Sequence, residues 1–195
     1  TIDNVNLLFI PNPNAPTEDN LDIKKFEIII KKCYEKDVLI AIDEVYHGFG
    51  IETAKKLIKD YPNLLVMRSF SKEFGMPGLR LGYMMGKSEL IKRLSQKRFS
   101  YETSIMQSII ARKLIDNYDI TSKYNEKIVA SRDAFTRKIK ELGFRVNSGL
   151  SNFVLVDFDS KPKKELINKQ FLANKIYIKD SLYANPKIVK NASDL

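Results

Sequence analysis

Two hydroxyls, a lysine and an arginine are gathered in one short stretch, Arg68-Ser69-Phe70-Ser71-Lys72-Glu73-Phe74-Gly75-Met76-Pro77-Gly78-Leu79-Arg80-Leu81-Gly82. A lysine amine made partly neutral by its surroundings can form a Schiff base with an aldehyde. Hydroxyls donate single hydrogen bonds and a guanidinium two in parallel, so Ser69, Ser71 and Arg80 suit a phosphate dianion. Amine, phosphate cradle and glycine-rich turn together point to pyridoxal 5'-phosphate. By spacing alone, an exposed basic surface loop fits the same residues equally well.

The elements around this stretch have to bring it to a sheet edge. Leu64-Leu65-Val66-Met67 reads as a buried strand that delivers Ser69, Ser71 and Lys72 where it ends, which is where open α/β sheets bind ligands. Val38-Leu39-Ile40-Ala41-Ile42 is apolar on both faces, the mark of a central parallel strand, and ends at Asp43 and Glu44. The run from Val5 to Ile10 reads as a third strand, stopped by Pro11, Pro13 and Pro16. Between these strands, Phe26, Ile29, Ile30, Cys33 and Tyr34 recur at helical spacing, with Thr17, Asp19 and Asn20 as candidate caps.

Beyond the lysine stretch, residues 81–86 read as a returning strand. Ser88 caps a helix that turns Leu90, Ile91 and Leu94 inward, and a further helix carries Met106, Ile109, Ile110 and Leu114. Polarity rises over residues 116–119, the expected boundary between a large domain, 1–118, and a small one, 119–195. A long helix over 121–142 shows Tyr124, Ile128, Phe135, Ile139 and Leu142 on one side and stops at Gly143. Strands at 144–147, 152–158 and 176–178 and a helix over 162–173 complete the small domain. The fold class is α/β: part of a mostly parallel-sheet large domain with helices on both faces, plus an α+β C-terminal domain.

A carboxylate at the end of a buried strand must find a partner. For Asp43 and Glu44 the plain partner is the following turn, and for Asn152 the plain reading is a polar residue at a strand start.

Three ordered motifs, Asn12-Pro13-Asn14-Ala15-Pro16-Thr17, Asp43-Glu44-Val45-Tyr46 and the lysine stretch, resemble those of the class I/II aminotransferases. These are fold-type I pyridoxal phosphate enzymes, and the likeness is greatest to their histidinol-phosphate aminotransferase branch. The resemblance implies that Lys72 carries the cofactor as a Schiff base and serves as general base. It further implies that Asp43 pairs with the pyridine nitrogen and that Tyr46 bonds the phenolic oxygen. Ser69, Ser71 and Arg80 would hold the phosphate, and Asn152 would face the substrate. The family usually has an asparagine at the position of Ala15 and a glycine at that of Glu18. It also carries a long N-terminal portion ahead of Val5 and a carboxylate-gripping arginine beyond a strand such as 152–158. No arginine follows Arg145, so the chain is expected to be a fragment.

The implied activity is transamination between an amino acid or amino phosphate and a 2-oxo acid, in a homodimer. A decarboxylase of amino acid phosphates on the same scaffold, or a non-catalytic copy of it, are the alternatives. Composition bears on other classes. The net charge is +9, but the lysines are interleaved with acids and the cluster Lys161-Pro162-Lys163-Lys164 is short, which favours a solvated surface over a nucleic-acid footprint. No membrane span is evident, one cysteine, Cys33, cannot form an internal disulfide, and the lone histidine, His47, argues against a histidine-based metal site. A cytoplasmic protein without a metal is expected.

Overall fold

The structure is a computed structural model and describes residues 4–99 and 102–179. Four strands form one sheet in the order β1 (Leu7–Pro11), β2 (Leu39–Asp43), β3 (Leu64–Ser69) and β4 (Gly82–Met85). The first three are parallel and β4 runs antiparallel to β3. The doubly apolar pattern of β2 is explained by its place between β1 and β3, with Ala41 and Ile42 buried on opposite faces. Asp43 pairs with Met67 in the register, so Asp43 and Ser69 end adjacent strands on the same face.

Helix α1 (Ile23–Glu35) connects β1 to β2 and lays Phe26, Ile30 and Cys33 on Ile40, Ile42, Leu64 and Val66. Its N-cap is Asp22, whose carboxylate accepts the Lys25 N–H at 2.9 Å, and none of Thr17, Asp19 or Asn20. Thr17 and Asp19 are taken up instead by a closed turn: Asn14 N–H donates to Asp19 O, Glu18 N–H to Asn14 O, and the Thr17 hydroxyl to Asn14 O. Tyr34 stands outside the expected stripe, half exposed and edge-on to Tyr61. On the opposite sheet face Ala41 and Leu65 are buried, whereas Leu7, Phe9 and Met84 are about half exposed.

Three helices follow, α2 (Ser88–Ser95), α3 (Ile105–Asp116) and α4 (Tyr118–Glu141). Ser88 is the first residue of α2, and Lys87 holds the N-cap position. In α3, Ile110, Ala111 and Leu114 pack toward Phe70 and Leu79, but Met106 and Ile109 face outward. The rotation is set by Gln107, which closes a capping box with Ser104 and donates its side-chain amide to Leu79 O at 2.8 Å.

Helix α4 departs further from its apolar pattern. Tyr124, Phe135 and Leu142 are exposed, and the side it buries is polar: Thr121, Asn125 and Arg132. The second sheet pairs β5 (Arg145–Asn147) with β6 (Leu155–Asp157), and α5 (Lys161–Ala173) closes the described part. The strand expected over 152–158 is shortened because the Ser151 hydroxyl accepts the Phe153 N–H at 3.3 Å and holds a turn there. No strand forms at 176–178, since the Ile176 N–H returns to Phe171 O at 2.8 Å to finish α5. Residues 180–195 of the expected small domain lie outside the described residues.

Candidate active site

Asp43 and Glu44 are sequence neighbours with different partners. Glu44 is fully buried and satisfied by structure alone: Oε1 accepts the Ala54 N–H at 2.6 Å, and Oε2 accepts the Thr53 hydroxyl at 2.8 Å and Arg68 Nη2 at 2.9 Å. The partners of Glu44 thus lie in the segment at residues 53–54 and on β3, beyond the turn that follows it. Asp43 points to the other face, where its Oδ1 accepts the Val45 N–H at 3.0 Å. Burial pushes the Asp43 carboxyl above its usual range; the Val45 bond opposes this and the Glu44 charge adds to it.

Tyr46 follows within the same loop. Its ring lies 5.5 Å, centroid to Nζ, from Lys72, and 5.9 Å from the ring of Phe153. Burial raises its phenol above the ordinary tyrosine range, and the charges of Glu18 and Asp43 raise it further. β3 delivers the lysine turn as expected. The Ser69 hydroxyl accepts the Ser71 N–H at 3.0 Å and donates to Leu81 O at 3.4 Å, so it shapes the turn that presents Ser71 and Lys72. Arg80 is exposed in a left-handed conformation with φ 49°, and its guanidinium donates to Pro77 O at 3.2 Å.

Asn152 is exposed beside Phe153, whose ring meets Tyr46. The structure thus brings Asp43, Tyr46 and Lys72 together, adds Ser69 and Ser71 at the same sheet edge, and sets Arg80 at the end of the following turn.

Three residues join this site that the motifs alone do not assign. Glu18 is buried at φ 64° and accepts the Ser151 N–H at 3.0 Å, tying the proline loop to the segment before Phe153. Its only sequence signal is a charged residue where the resembled family has glycine. Glu73, the residue after Lys72, is buried, and Tyr118 donates to it from the start of α4. Neither had a legible signal, because their partners are distant in the chain.

The donor set fits a phosphorylated pyridine aldehyde. The turn after β3 offers an amine, two hydroxyls and a guanidinium, and the adjacent strand β2 ends in the Asp43 carboxyl, which burial pushes above its usual range. Ala15 supplies no amide to such a ligand. Among the described residues no cluster of His, Cys, Asp or Glu is placed to hold a metal, and no helix is long and apolar enough to cross a membrane.

The sheet, its crossover and the lysine at the end of β3 define the fold of the pyridoxal phosphate-dependent aminotransferases. The family model for aminotransferase class I and II matches residues 2–185, and the chain belongs to that family. A histidinol-phosphate aminotransferase of Thermotoga neapolitana is 31% identical over 163 residues, 84% of this chain and 48% of the relative. One from Syntrophus aciditrophicus is 40% identical over 149 residues, 75% of this chain and 41% of its own. The crystal structure of the histidinol-phosphate aminotransferase from Clostridium acetobutylicum superposes with a TM-score of 0.80 at 28% identity, covering 91% of this chain and 55% of that one. The chain spans about half the length of the curated relatives it matches.

Proposed function

We propose that the chain forms the cofactor-binding core of a pyridoxal 5'-phosphate-dependent aminotransferase of the histidinol-phosphate aminotransferase type. The reading is carried by the convergence of Lys72, Tyr46 and Asp43 at one sheet edge, with the Lys72 amine 5.5 Å from the Tyr46 ring. It is supported by the family membership of the chain. When bound, the cofactor supplies an electron sink for the bonds of the substrate α-carbon.

Lys72 Nζ would hold the cofactor at its aldehyde carbon and, when free as an amine, would serve as the base for the α-proton. Asp43 answers the pyridinium with its carboxylate, and Tyr46 donates to the phenolic oxygen. Ser69, Ser71 and Arg80 hold the phosphate and so fix the ring angle. Asn152 faces the substrate. The substrates are an amino acid or amino phosphate and a 2-oxo acid. A homodimer in the cytoplasm, divided into domains near residues 118–119, completes the proposal.

The test is an absorbance spectrum of the full-length protein with pyridoxal phosphate, wild type against Lys72→Ala. A band in the near-visible that the substitution removes is expected, with conversion to the amine form of the cofactor on adding an amino donor. Carbon dioxide release without that conversion would show a decarboxylase instead. No lysine-dependent band in folded protein would leave a non-catalytic scaffold.

A further inference from the structure

The residue after Lys72 is a glutamate in a polar, glycine-rich turn, yet it is only 2% exposed. A buried carboxylate is costly unless it is bonded. Glu73 Oε1 accepts the Tyr118 hydroxyl at 2.6 Å and lies 3.2 Å from His47 Nδ1. Burial is the strongest single influence on this carboxyl and pushes it up. The bonds from His47 and Tyr118, with the charges of His47 and Arg68, outweigh it and hold the group below its usual range. Tyr118 shifts far upward, from burial and from the Glu73 bond and charge, so its O–H remains a donor.

The packing around this carboxylate is close. A Cβ on Gly48 would come 2.7 Å from Glu73 Cγ and 2.5 Å from Asn125 Nδ2, so the loop that carries Tyr46 sits flush on the glutamate. Phe74 meets the ring of Tyr118 edge-on at 5.9 Å, which holds the far side of the same turn. Three segments therefore meet at one carboxylate: the loop after β2, the lysine turn and the first residue of α4. His47 is bonded next to Tyr46 and Glu73 next to Lys72, so the network stands one residue away from both members of the Lys72–Tyr46 pair.

We propose that Glu73 is a positioning residue which, with His47 and Tyr118, holds the Lys72 amine in place against Tyr46. The inference rests on the reading of Lys72 as the cofactor lysine. A carboxylate that served only to anchor α4 would affect stability alone. One that places Lys72 also sets the pH profile of the cofactor band and how fast the amine reacts.

The experiment uses Glu73→Gln and Tyr118→Phe in the full-length protein, near-isosteric changes that retain the packing, with circular dichroism to confirm folding. His47 is the one histidine of these 195 residues, and its imidazole NMR signal in the cofactor-free full-length protein is assigned by its loss in His47→Gln. That signal is expected to move in Glu73→Gln. With cofactor, the pH midpoint of the Lys72-dependent band should shift by about half a unit or more. Turnover should fall about 10- to 100-fold with KM for the amino donor nearly unchanged, the pattern of misplacement during reaction.

If both variants fold, keep a band that Lys72→Ala abolishes, and show the wild-type midpoint and kcat, the positioning role is overturned and the cofactor reading stands. If the His47 signal is unmoved in Glu73→Gln, the network itself is refuted. A wild-type protein without any Lys72-dependent band overturns the cofactor reading and this inference with it.

Discussion

Arg68 crosses from β3 to Glu44 at the end of β2 and places its Nε and Nη2 at 3.1 and 2.9 Å from the same Oε2. The pair is buried, with side-chain exposures of 9% for Arg68 and 0% for Glu44. Removing one member of such a pair strands the other charge, at about 3–5 kcal/mol. Arg68→Met should therefore lower the urea midpoint by the equivalent of that loss, with little change in slope. Because Glu44 is satisfied by Thr53, Ala54 and Arg68, Asp43 is left as the acid presented to the site.

Asp43→Asn should stabilise the cofactor-free protein and weaken the cofactor complex. The native carboxyl titrates above its usual range, chiefly from burial. The folded state then loses stability as pH rises from the ordinary aspartate range through that raised value, and the loss persists at neutral pH. Asparagine keeps the acceptor for the Val45 N–H without the charge. A gain of about 1 kcal/mol or less is expected after allowing for partial solvation, seen as a rise of about 2–4 °C in Tm. Equilibrium titration with pyridoxal phosphate should show the opposite change in affinity.

Glu18 contributes a pH dependence of the same sign. Burial raises its carboxyl, against the bonds from Ser151, the charge of Arg132 and the Gly149 N–H. Stability tied to its protonated form is present below the ordinary glutamate range and lost as pH rises through the raised native value. Glu18→Gln should remove that component. The stability difference between variant and wild type, from denaturant melts at several pH values, should move in favour of the variant as pH rises through this window.

Gly149, two residues beyond β5, lies hard against the proline loop. A Cβ there would lie 2.5 Å from Glu18 Cβ and 2.9 Å from Glu18 O. Gly149→Ala should cost about 1–3 kcal/mol through forced backbone shifts. Glu18→Gly removes the side-chain obstacles, Cβ and Oε2, and leaves the carbonyl, so the double variant should recover part of the loss, a coupling that a double-mutant cycle would measure.

The strands of the large sheet and the motif residues at their ends were legible because local pattern dictates them. A strand apolar on both faces has to be central, and prolines and glycines have to punctuate its exit. α1 was legible for the same reason, since its stripe at 26, 30 and 33 meets the sheet it follows. The cap was misplaced because Thr17, Asp19 and Asn20 are all chemically suitable; a backbone turn over residues 14–19 removed two of them from competition.

Helix α4 shows where sequence stopped deciding. Periodicity alone orients its apolar residues inward, yet the tertiary structure buries Thr121, Asn125 and Arg132 and leaves Tyr124 and Phe135 exposed. The reason is polar demand from distant segments. Arg132 Nη1 donates to Ser151 O at 2.8 Å and to Phe49 O at 3.4 Å, and Tyr118 donates to Glu73. Buried carbonyls and a buried carboxylate cost more unbonded than half-exposed apolar rings cost in water. By itself the sequence determined which residues could do chemistry and at the ends of which strands they stand. Which of two adjacent carboxylates is bound up within the fold, and that the glutamate after the lysine is buried and bonded, was decided only where segments far apart in the chain came into hydrogen-bonding reach.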